Sequence, residues 1–340
     1  MQTNNFLQSP LFLKPKDKIR LIAPSGIVEP QNIEQAVQWI IENGFIPQVG
    51  IHLTDNFFRF AATDEHRLYD LQKALDSDDT KAIWCIRGGY GMGRILDNLN
   101  WEKFLQKPKW LIGFSDITAI HLKINQLNIQ SMHGFMPVQF KYLYANTENN
   151  IASIQEKNDQ FSITEAQSQE AIPIEKSIQS FLHALQGKPY QIKAIANQEN
   201  RLGNTQGEII GGNLSMIINS LATPTEIETD GKILFLEEVG ENLYAVDRML
   251  WQLYRAGKLK NLKGLAVGSF SGSRQTVEQF GFSVSQMITA LVKEYTYPVA
   301  FDFPIGHTAE NETVICGATV DFEVGKEGSI LKFLQENSRV

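Results

Sequence analysis

The chain has 340 residues, of which 43% are hydrophobic and 20% are charged, and its formal net charge is −7. This length and composition predict about two globular domains, each able to bury its own core, and exclude extended disorder as the general state of the chain. The acidic balance and the lack of a Lys/Arg-rich block argue against a nucleic-acid partner held through phosphate contacts.

The N-terminal residues MQTNNFLQSPLFLKPKDKIR contain no cationic leader, sustained apolar stretch or small-residue cleavage site. We therefore expect no signal peptide. No apolar run approaches the length of a membrane span, so a cytoplasmic protein without membrane attachment is predicted. The two cysteines, Cys85 and Cys316, lie in apolar runs and are expected to be buried, reduced thiols.

The first 140 residues alternate short apolar runs with amphipathic helical patterns. The predicted strands are Ile19–Ala23, Ile46–Val49, Ala82–Ile86 and Trp110–Gly113, and the predicted helices are 30–43, 64–76, one near 93–105 and one from about 116. This alternation predicts a parallel sheet with helices on both faces. The loops after the strands then lie along one edge, where open α/β sheets build their sites.

The composition becomes rich in Asn, Gln, Glu and Ser between about 141 and 175, and we interpret 141–204 as a polar excursion and connecting segment with a short helix at 176–186. A second domain is predicted over 205–340. Its predicted strands and helices are Ile233–Leu236, Gly264–Val267, 213–222 and about 243–257. Near the end, TVICGATVDFEV and SILKFL alternate like paired strands, which predicts a mixed sheet with helices.

Ser115 lies between an apolar strand and a helical pattern in KWLIGFSDITAI. A serine at such a turn presents its hydroxyl above the sheet edge, close to helix N-terminal amides that can stabilise an oxyanion. The segment departs from the pattern G-x-S-x-G because Ile117 occupies the last glycine position. The alternative is that Ser115 only caps the helix, with Asp116 in its first turn.

The segment Arg87-Gly88-Gly89-Tyr90-Gly91-Met92-Gly93 follows a buried strand. Its glycines let the backbone approach a ligand closely and point N–H groups at an anion. The spacing fits neither a dinucleotide fingerprint nor a P-loop. Two interpretations remain open, a second oxyanion donor facing Ser115 and a plain tight turn.

Glu237 and Glu238 end the apolar strand ILFLEE. Strand alternation directs them to opposite faces, so at most one enters a given site, and the alternative is a pair of solvated strand-end charges. His307 lies in the loop FPIGHT, where function tends to reside, although a lone loop histidine commonly has no role. The remaining histidines show no metal-ligand spacing, and no metal site is predicted: His52, His66, His121, His133 and His183.

Several ordered segments together resemble the LD-carboxypeptidase family of serine peptidases (muramoyltetrapeptide carboxypeptidases). They are IAPSG (22–26), FAATDEHRLYDL (60–71), IRGGYGMGRIL (86–96), GFSDITAI (113–120), HGFMP (133–137), GGNLSM (211–216), LFLEEVGENLYAVDRML (234–250) and FPIGHT (303–308). The resemblance runs from about 15 to 330 and is weakest over 138–205.

The resemblance implies an α/β fold with an N-terminal flavodoxin-like parallel sheet layered with helices (1–140) and a C-terminal swivelling β/α domain with a mixed sheet (205–340). It implies a triad in which Ser115 is the nucleophile, Glu237 the acid and His307 the base. It also implies a homodimer that needs no metal or cofactor. The N-terminal domain then supplies the nucleophile, and the C-terminal domain supplies the acid and the base.

For the remaining site residues we expect backbone amides of Gly89 and Asp116 to form the oxyanion hole. The terminal carboxylate of a peptide has three candidate ligands, Arg87, Asn213 and Arg248. The resemblance implies a recycled murein tetrapeptide as substrate, cut between the L-centre of the diamino acid and the terminal D-Ala.

Two alternatives remain. A self-immunity branch of the same family cleaves a peptidyl-nucleotide antibiotic with the same triad, although NLYAVDRM looks more like the recycling branch. The second alternative is a nucleotide- or anion-binding module that uses residues 88–93 without covalent chemistry.

Overall fold

The computed structural model describes residues 7–144, 173–273 and 280–334. Its strands, in chain order, are β1 (Lys18–Ile22), β2 (Ile46–Val49), β3 (Thr80–Cys85), β4 (Trp110–Gly113), β5 (Ser131–His133), β6 (Tyr190–Ile195), β7 (Gly203–Asn213), β8 (Ile233–Val239), β9 (Gly264–Ser271), β10 (Val299–Ala300), β11 (Val314–Cys316), β12 (Thr319–Val324) and β13 (Gly328–Phe333).

The α-helices are α1 (Pro30–Glu42), α2 (Asp64–Asp76), α3 (Met92–Ile95), α4 (Glu102–Gln106), α5 (Thr118–Gln126), α6 (Lys141–Tyr144), α7 (Pro173–Gln186), α8 (Leu214–Ser220), α9 (Leu243–Arg255) and α10 (Val284–Leu291). Short 3₁₀ helices lie at Leu96–Asn98, Ser115–Ile117 and Pro137–Phe140. Within these described ranges, no helix combines the length and apolar character needed to cross a bilayer.

The N-terminal sheet has the strand order β11-β5-β4-β3-β1-β2, and its five N-terminal strands are mutually parallel. The central strands are apolar on both faces because helices cover both, as Trp84 and Trp110 show by being fully buried. The predicted parallel sheet is confirmed, and β4 ends at Gly113, two residues before Ser115.

The second sheet has the order β10-β9-β8-β7-β12-β13-β6. Its strands β7 to β10 are parallel, whereas β12, β13 and β6 pair antiparallel beside β7. The predicted mixed sheet is thus confirmed. Strand β8 lies inside the parallel part, which buries all of its residues up to Glu238.

Three sequence predictions need correction. The helix predicted near 93–105 is broken into α3, a 3₁₀ turn and α4, and the Asn100 Oδ1 atom accepts a hydrogen bond from the Glu102 N–H (2.8 Å) where helix restarts. The TVIC segment forms β11, which pairs with β5 in the N-terminal sheet and not with its sequence neighbour β12.

Strand β6, inside the predicted connecting segment 141–204, belongs to the second sheet. The polar stretch 145–172 lies outside the described residues.

Candidate functional site

Ser115 occupies a strained turn between β4 and α5. Its φ of 66° lies in the left-handed region, which a non-glycine residue adopts only at a cost. The residue is half-buried and begins the 3₁₀ turn that leads into α5. Within the part of the chain that the structure describes, the Ser115 hydroxyl makes no hydrogen bond, so helix capping finds no support. The predicted strand, sharp turn and helix are confirmed.

The glycine-rich loop lies directly on this turn. A Cβ atom built on Gly88 would lie 2.9 Å from the Ser115 Cβ atom and 3.3 Å from the Asp116 nitrogen. The Gly88 carbonyl accepts a hydrogen bond from the Gly26 N–H (3.0 Å), which holds the loop in place. Among the described residues, the N–H groups of Gly89 and Asp116 donate to no protein acceptor. Two unused amides therefore belong to segments that meet at Ser115.

The Asp116 side chain ties the same elements together. Its Oδ2 atom accepts hydrogen bonds from the Ser25 hydroxyl (2.6 Å) and the Met92 N–H (2.8 Å). Burial raises the pKa of this carboxyl, while these two donors lower it. The sequence offered no signal for this role, since one partner is 91 positions away in the chain.

Glu237 and His307 form a direct pair. The Glu237 Oε2 atom lies 2.7 Å from His307 Nδ1, and the side chains are 0% and 16% exposed. The His307 ring packs edge-on against the Phe114 ring, with centroids 4.8 Å apart, and Phe114 directly precedes Ser115. No hydrogen bond between Ser115 and His307 is present among the described residues, and such bonds often tighten only when substrate is bound.

Gly306 allows the histidine loop to close over the carboxylate. Its φ is 112°, and an added Cβ atom would lie 2.6 Å from Glu237 Oε2 and 2.7 Å from the Ser269 hydroxyl. The Gly306 N–H donates to Asn311 Oδ1 (2.8 Å), which anchors the loop. The approach of His307 to Glu237 therefore depends on the missing side chain at this position.

Glu238 has a different role from its neighbour. It accepts hydrogen bonds from Asn213 Nδ2 (3.0 Å), from the Ser215 amide (2.7 Å) and hydroxyl (2.6 Å), and from the Val239 amide (2.8 Å). Burial raises the pKa of the Glu238 carboxyl, and these donors oppose the shift. The prediction that the two carboxylates face different ways is confirmed. The alternative of solvated charges is wrong, because both are buried.

The three residues predicted to bind the terminal carboxylate of a peptide differ in whether their side chains already have partners within the protein. Asn213 is buried and caps α8 through its Oδ1 atom, which accepts from the Met216 amide (3.3 Å), so its side chain is engaged within the protein. Arg87 is half-buried beside Gly88, and its Nη1 atom donates to the Ile27 carbonyl (3.0 Å). Arg248 is exposed on α9 and lies over the Tyr244 ring at 5.5 Å.

Two buried histidines near the Ser115 turn were not singled out by sequence. His121 contacts the Ser131 hydroxyl (2.9 Å) and the Gly113 carbonyl (2.8 Å), and burial lowers its pKa to about 4. It therefore fastens the end of β4 as a neutral ring. His133 is fully buried, both of its ring nitrogens lack a partner among the described residues, and burial lowers its pKa well below the ordinary value.

The site thus combines three features: a serine hydroxyl on a strained backbone turn, two amides that donate to no protein acceptor among the described residues, and a buried Glu237 carboxylate in contact with the His307 imidazole. These are the parts that acyl transfer through a serine nucleophile requires. They come from both halves of the chain, since Ser115 follows β4 of the N-terminal sheet and Glu237 lies on β8 of the second.

Comparison with known proteins gives a consistent picture. The model of the LD-carboxypeptidase N-terminal domain matches residues 19–134, and that of the LD-carboxypeptidase C-terminal domain matches residues 206–322. The chain is 27% identical to a protein of Pseudomonas aeruginosa named murein tetrapeptide carboxypeptidase, covering 90% of this chain and 93% of the relative.

Solved structures agree. A muramoyltetrapeptide carboxypeptidase from Oxalobacter formigenes has a TM-score of 0.75 at 25% identity, covering 93% of this chain and 98% of its own. An MccF-like protein from Bacillus anthracis also has a TM-score of 0.75, at 24% identity, covering 97% and 100%. The second likeness concerns the fold alone.

Proposed function

The chain belongs to the LD-carboxypeptidase family, and we propose that it is a serine-type enzyme that releases the terminal D-alanine from murein tetrapeptides. The observation that carries the proposal is the 2.7 Å contact between Glu237 Oε2 and His307 Nδ1. The His307 ring also packs against Phe114, the residue before Ser115. The substrate class rests on the names of the relatives, whose activity concerns murein peptides.

In the acylation step, His307 Nε2 takes the proton of the Ser115 hydroxyl while Oγ attacks the scissile carbonyl carbon. Glu237 holds the imidazole in the tautomer that carries the proton on Nδ1, and it stabilises the imidazolium that forms. The tetrahedral intermediate collapses when His307 returns the proton to the leaving nitrogen, and D-alanine departs as a free amine. The shortened peptide remains esterified to Ser115.

Deacylation repeats the same transfers with water as the nucleophile. His307 takes a proton from water, the hydroxide attacks the ester carbon, and the serine oxygen recovers the proton on leaving. The products are a tripeptide with a new carboxylate and the regenerated enzyme. No metal or cofactor enters this scheme, because His307 supplies all of the proton transfers.

The amides of Gly89 and Asp116 supply the oxyanion hole in this proposal. Their support is that both are unused within the described chain and belong to segments packed at Ser115. Each such donor contributes about 3–4 kcal/mol to stabilising the transition state. The strained turn at Ser115 keeps the hydroxyl and the Asp116 amide side by side.

Arg87 is the favoured ligand for the terminal carboxylate of the substrate. It immediately precedes the loop that contacts Ser115, and only Nη1 of its guanidinium donates to the Ile27 carbonyl. Asn213 and Arg248 remain weaker candidates, since the first is engaged with Glu238 and the second lies over Tyr244. The proposed enzyme works in the cytoplasm as a homodimer, and light scattering of the purified protein tests the dimer.

The decisive experiment follows free D-alanine by mass spectrometry after incubation with a murein tetrapeptide. The wild-type protein should release D-alanine, and Ser115→Ala should lower the rate by at least about 10⁴-fold, since the loss of a catalytic nucleophile has effects of this order or larger. Ser77→Ala serves as the matched control, because this half-buried serine lies at the end of α2 and its hydroxyl hydrogen-bonds to Asp79 and Thr80, which are not among the proposed site residues. Equal release by wild type and Ser115→Ala contradicts the proposal.

The two alternatives give different outcomes. Cleavage of a peptidyl-nucleotide in place of the murein peptide favours the self-immunity activity. Failure to cleave either substrate, with no labelling of Ser115 by a serine-directed acylating probe, favours a binding module.

A further inference from the structure

A group of nitrogen and oxygen ligands converges on the loop that follows β2. The Asp55 Oδ2 atom lies 2.8 Å from His52 Nδ1 and 2.6 Å from His66 Nδ1. The two imidazole rings stack with centroids 3.9 Å apart. One ligand atom from each of the three residues lies within 4.8 Å of the others. Sequence spacing gave no sign of this group, since the second histidine comes from another element.

The backbone fixes two of these ligands before any ion binds. The His52 N–H donates to Asp70 Oδ2 (2.9 Å), and Asp70 is a buried residue of α2. His66 lies in the first turn of α2, where its own N–H donates to the capping Thr63 hydroxyl (3.3 Å). The Tyr69 ring packs edge-on against His52 at 5.7 Å. Both imidazoles are thus attached to the same helix, one directly and one through Asp70.

We propose that His52, Asp55 and His66 form a binding site for a divalent transition-metal ion of the zinc type. Two imidazole nitrogens and one carboxylate oxygen suit zinc, cobalt or nickel, whereas magnesium and calcium prefer oxygen ligands throughout. Ligands around tetrahedral zinc lie about 3.3 Å apart, so the distances from Asp55 Oδ2 to the two imidazole nitrogens need to lengthen by about 0.5 and 0.7 Å. The Asp55 and His66 side chains are 34% and 43% exposed, which permits this movement and leaves room for a water ligand.

The bound metal would act on the loop between β2 and α2. The Ala61 N–H on this loop donates to the Ser25 carbonyl (3.1 Å), and the Ser25 hydroxyl donates to Asp116 beside the proposed nucleophile. An ion that fixes Asp55 to α2 therefore steadies a loop that is linked through Ser25 to Asp116. Binding itself does not depend on the proposed peptidase activity.

Metal binding is tested on the full chain after removal of metals with a chelator. Competition between the protein and a chromophoric chelator for Zn²⁺ should reveal one site per chain, and Co²⁺ should give a visible spectrum of nitrogen–oxygen ligation. His66→Ala and Asp55→Asn should each weaken zinc binding by at least about tenfold, because even the loss of an outer-shell partner costs about 10–100-fold. Glu65→Gln is the matched control from the same helical turn and should bind zinc like wild type.

Thermal unfolding provides a second readout that is independent of catalysis. Excess Zn²⁺ should raise the melting temperature of the wild type and of Glu65→Gln by several degrees, and it should leave His66→Ala unchanged, because a ligand that binds only the folded state stabilises it. The absence of zinc binding at 1 mM, or equal binding by wild type and His66→Ala, overturns the proposal. A protein that binds zinc but releases no D-alanine leaves this site standing and contradicts only the peptidase.

Discussion

The two halves of the candidate site are built in different ways. The N-terminal half consists of backbone: a strained turn at Ser115, the glycine loop packed on it and two unused amides. The C-terminal half consists of side chains, the buried carboxylate of Glu237 and the imidazole of His307, which lie 70 positions apart in the chain. The first half positions uncharged groups, whereas the second buries a charge and provides its partner.

This difference determines how each half can fail. A backbone arrangement is fixed by the sheet and the helix around it, so it tolerates most side-chain changes that spare the glycines. A buried carboxylate needs its partner, because an unpaired charge away from water is strongly unfavourable. Substitutions in the C-terminal half should therefore separate catalysis from stability most clearly.

Within the C-terminal half, the largest effect is expected from Glu237→Gln. The amide has nearly the same shape, but its N–H₂ group can face His307 Nδ1 and stabilise the wrong tautomer. We expect the turnover of tetrapeptide to fall by about 10³–10⁴-fold with little change in the melting temperature. Steady-state D-alanine release and thermal unfolding measure the two quantities. A variant with more than a tenth of wild-type turnover would show that this pair does not serve catalysis.

A smaller loss is expected from Gly306→Ala. Its Cβ atom would lie 2.6 Å from Glu237 Oε2, so the histidine loop must move away from the carboxylate. A displacement of about 1 Å lowers turnover by about 100-fold. Gly257→Ala is the matched control, because that residue also has positive φ (76°) but an added Cβ atom would meet nothing within 4 Å. Equal turnover in the two variants would mean that the loop position is unimportant.

The same contrast explains what the sequence could predict. The strand, turn and helix around Ser115 are local, so β4 was predicted with the observed bounds and the turn was located correctly. The pairing of Glu237 with His307 required a family resemblance, since no local pattern reports a contact between residues 70 positions apart in the chain. The position of β11 was mispredicted for the same reason. Its apolar alternation indicates a strand, whereas the choice of β5 as partner is a long-range contact.

Glu238→Gln should affect stability more than catalysis. The carboxylate accepts four hydrogen bonds that hold the start of α8 against β8, and the amide can satisfy only part of this set. We expect the free energy of unfolding to fall by about 1–3 kcal/mol. Turnover per folded molecule should remain close to wild type. Urea denaturation and active-site titration provide these values, and a large turnover loss in this variant would remove the functional distinction between the neighbouring carboxylates.

A further effect concerns the pH dependence of stability and involves Glu312, a buried carboxyl in the loop that carries His307. Burial, with a contribution from Glu310, raises the pKa of Glu312 from 4.5 to about 8. The folded chain therefore holds this proton more tightly than the unfolded chain does. Its contribution to stability is complete below about pH 4.5 and is lost as the pH rises through about 8.

Glu312→Gln keeps the neutral shape at every pH, so it should melt like wild type at pH 4.5 and at a higher temperature at pH 9. Melting temperatures across this range test the expectation, with the exposed Glu294→Gln as a control that should follow wild type throughout. If wild type and Glu312→Gln lose stability in parallel as the pH rises, the Glu312 carboxyl is ionised in the folded chain at neutral pH. The C-terminal half would then bury a third carboxylate besides Glu237 and Glu238, and of these three only Glu237 has an imidazole partner among the described residues.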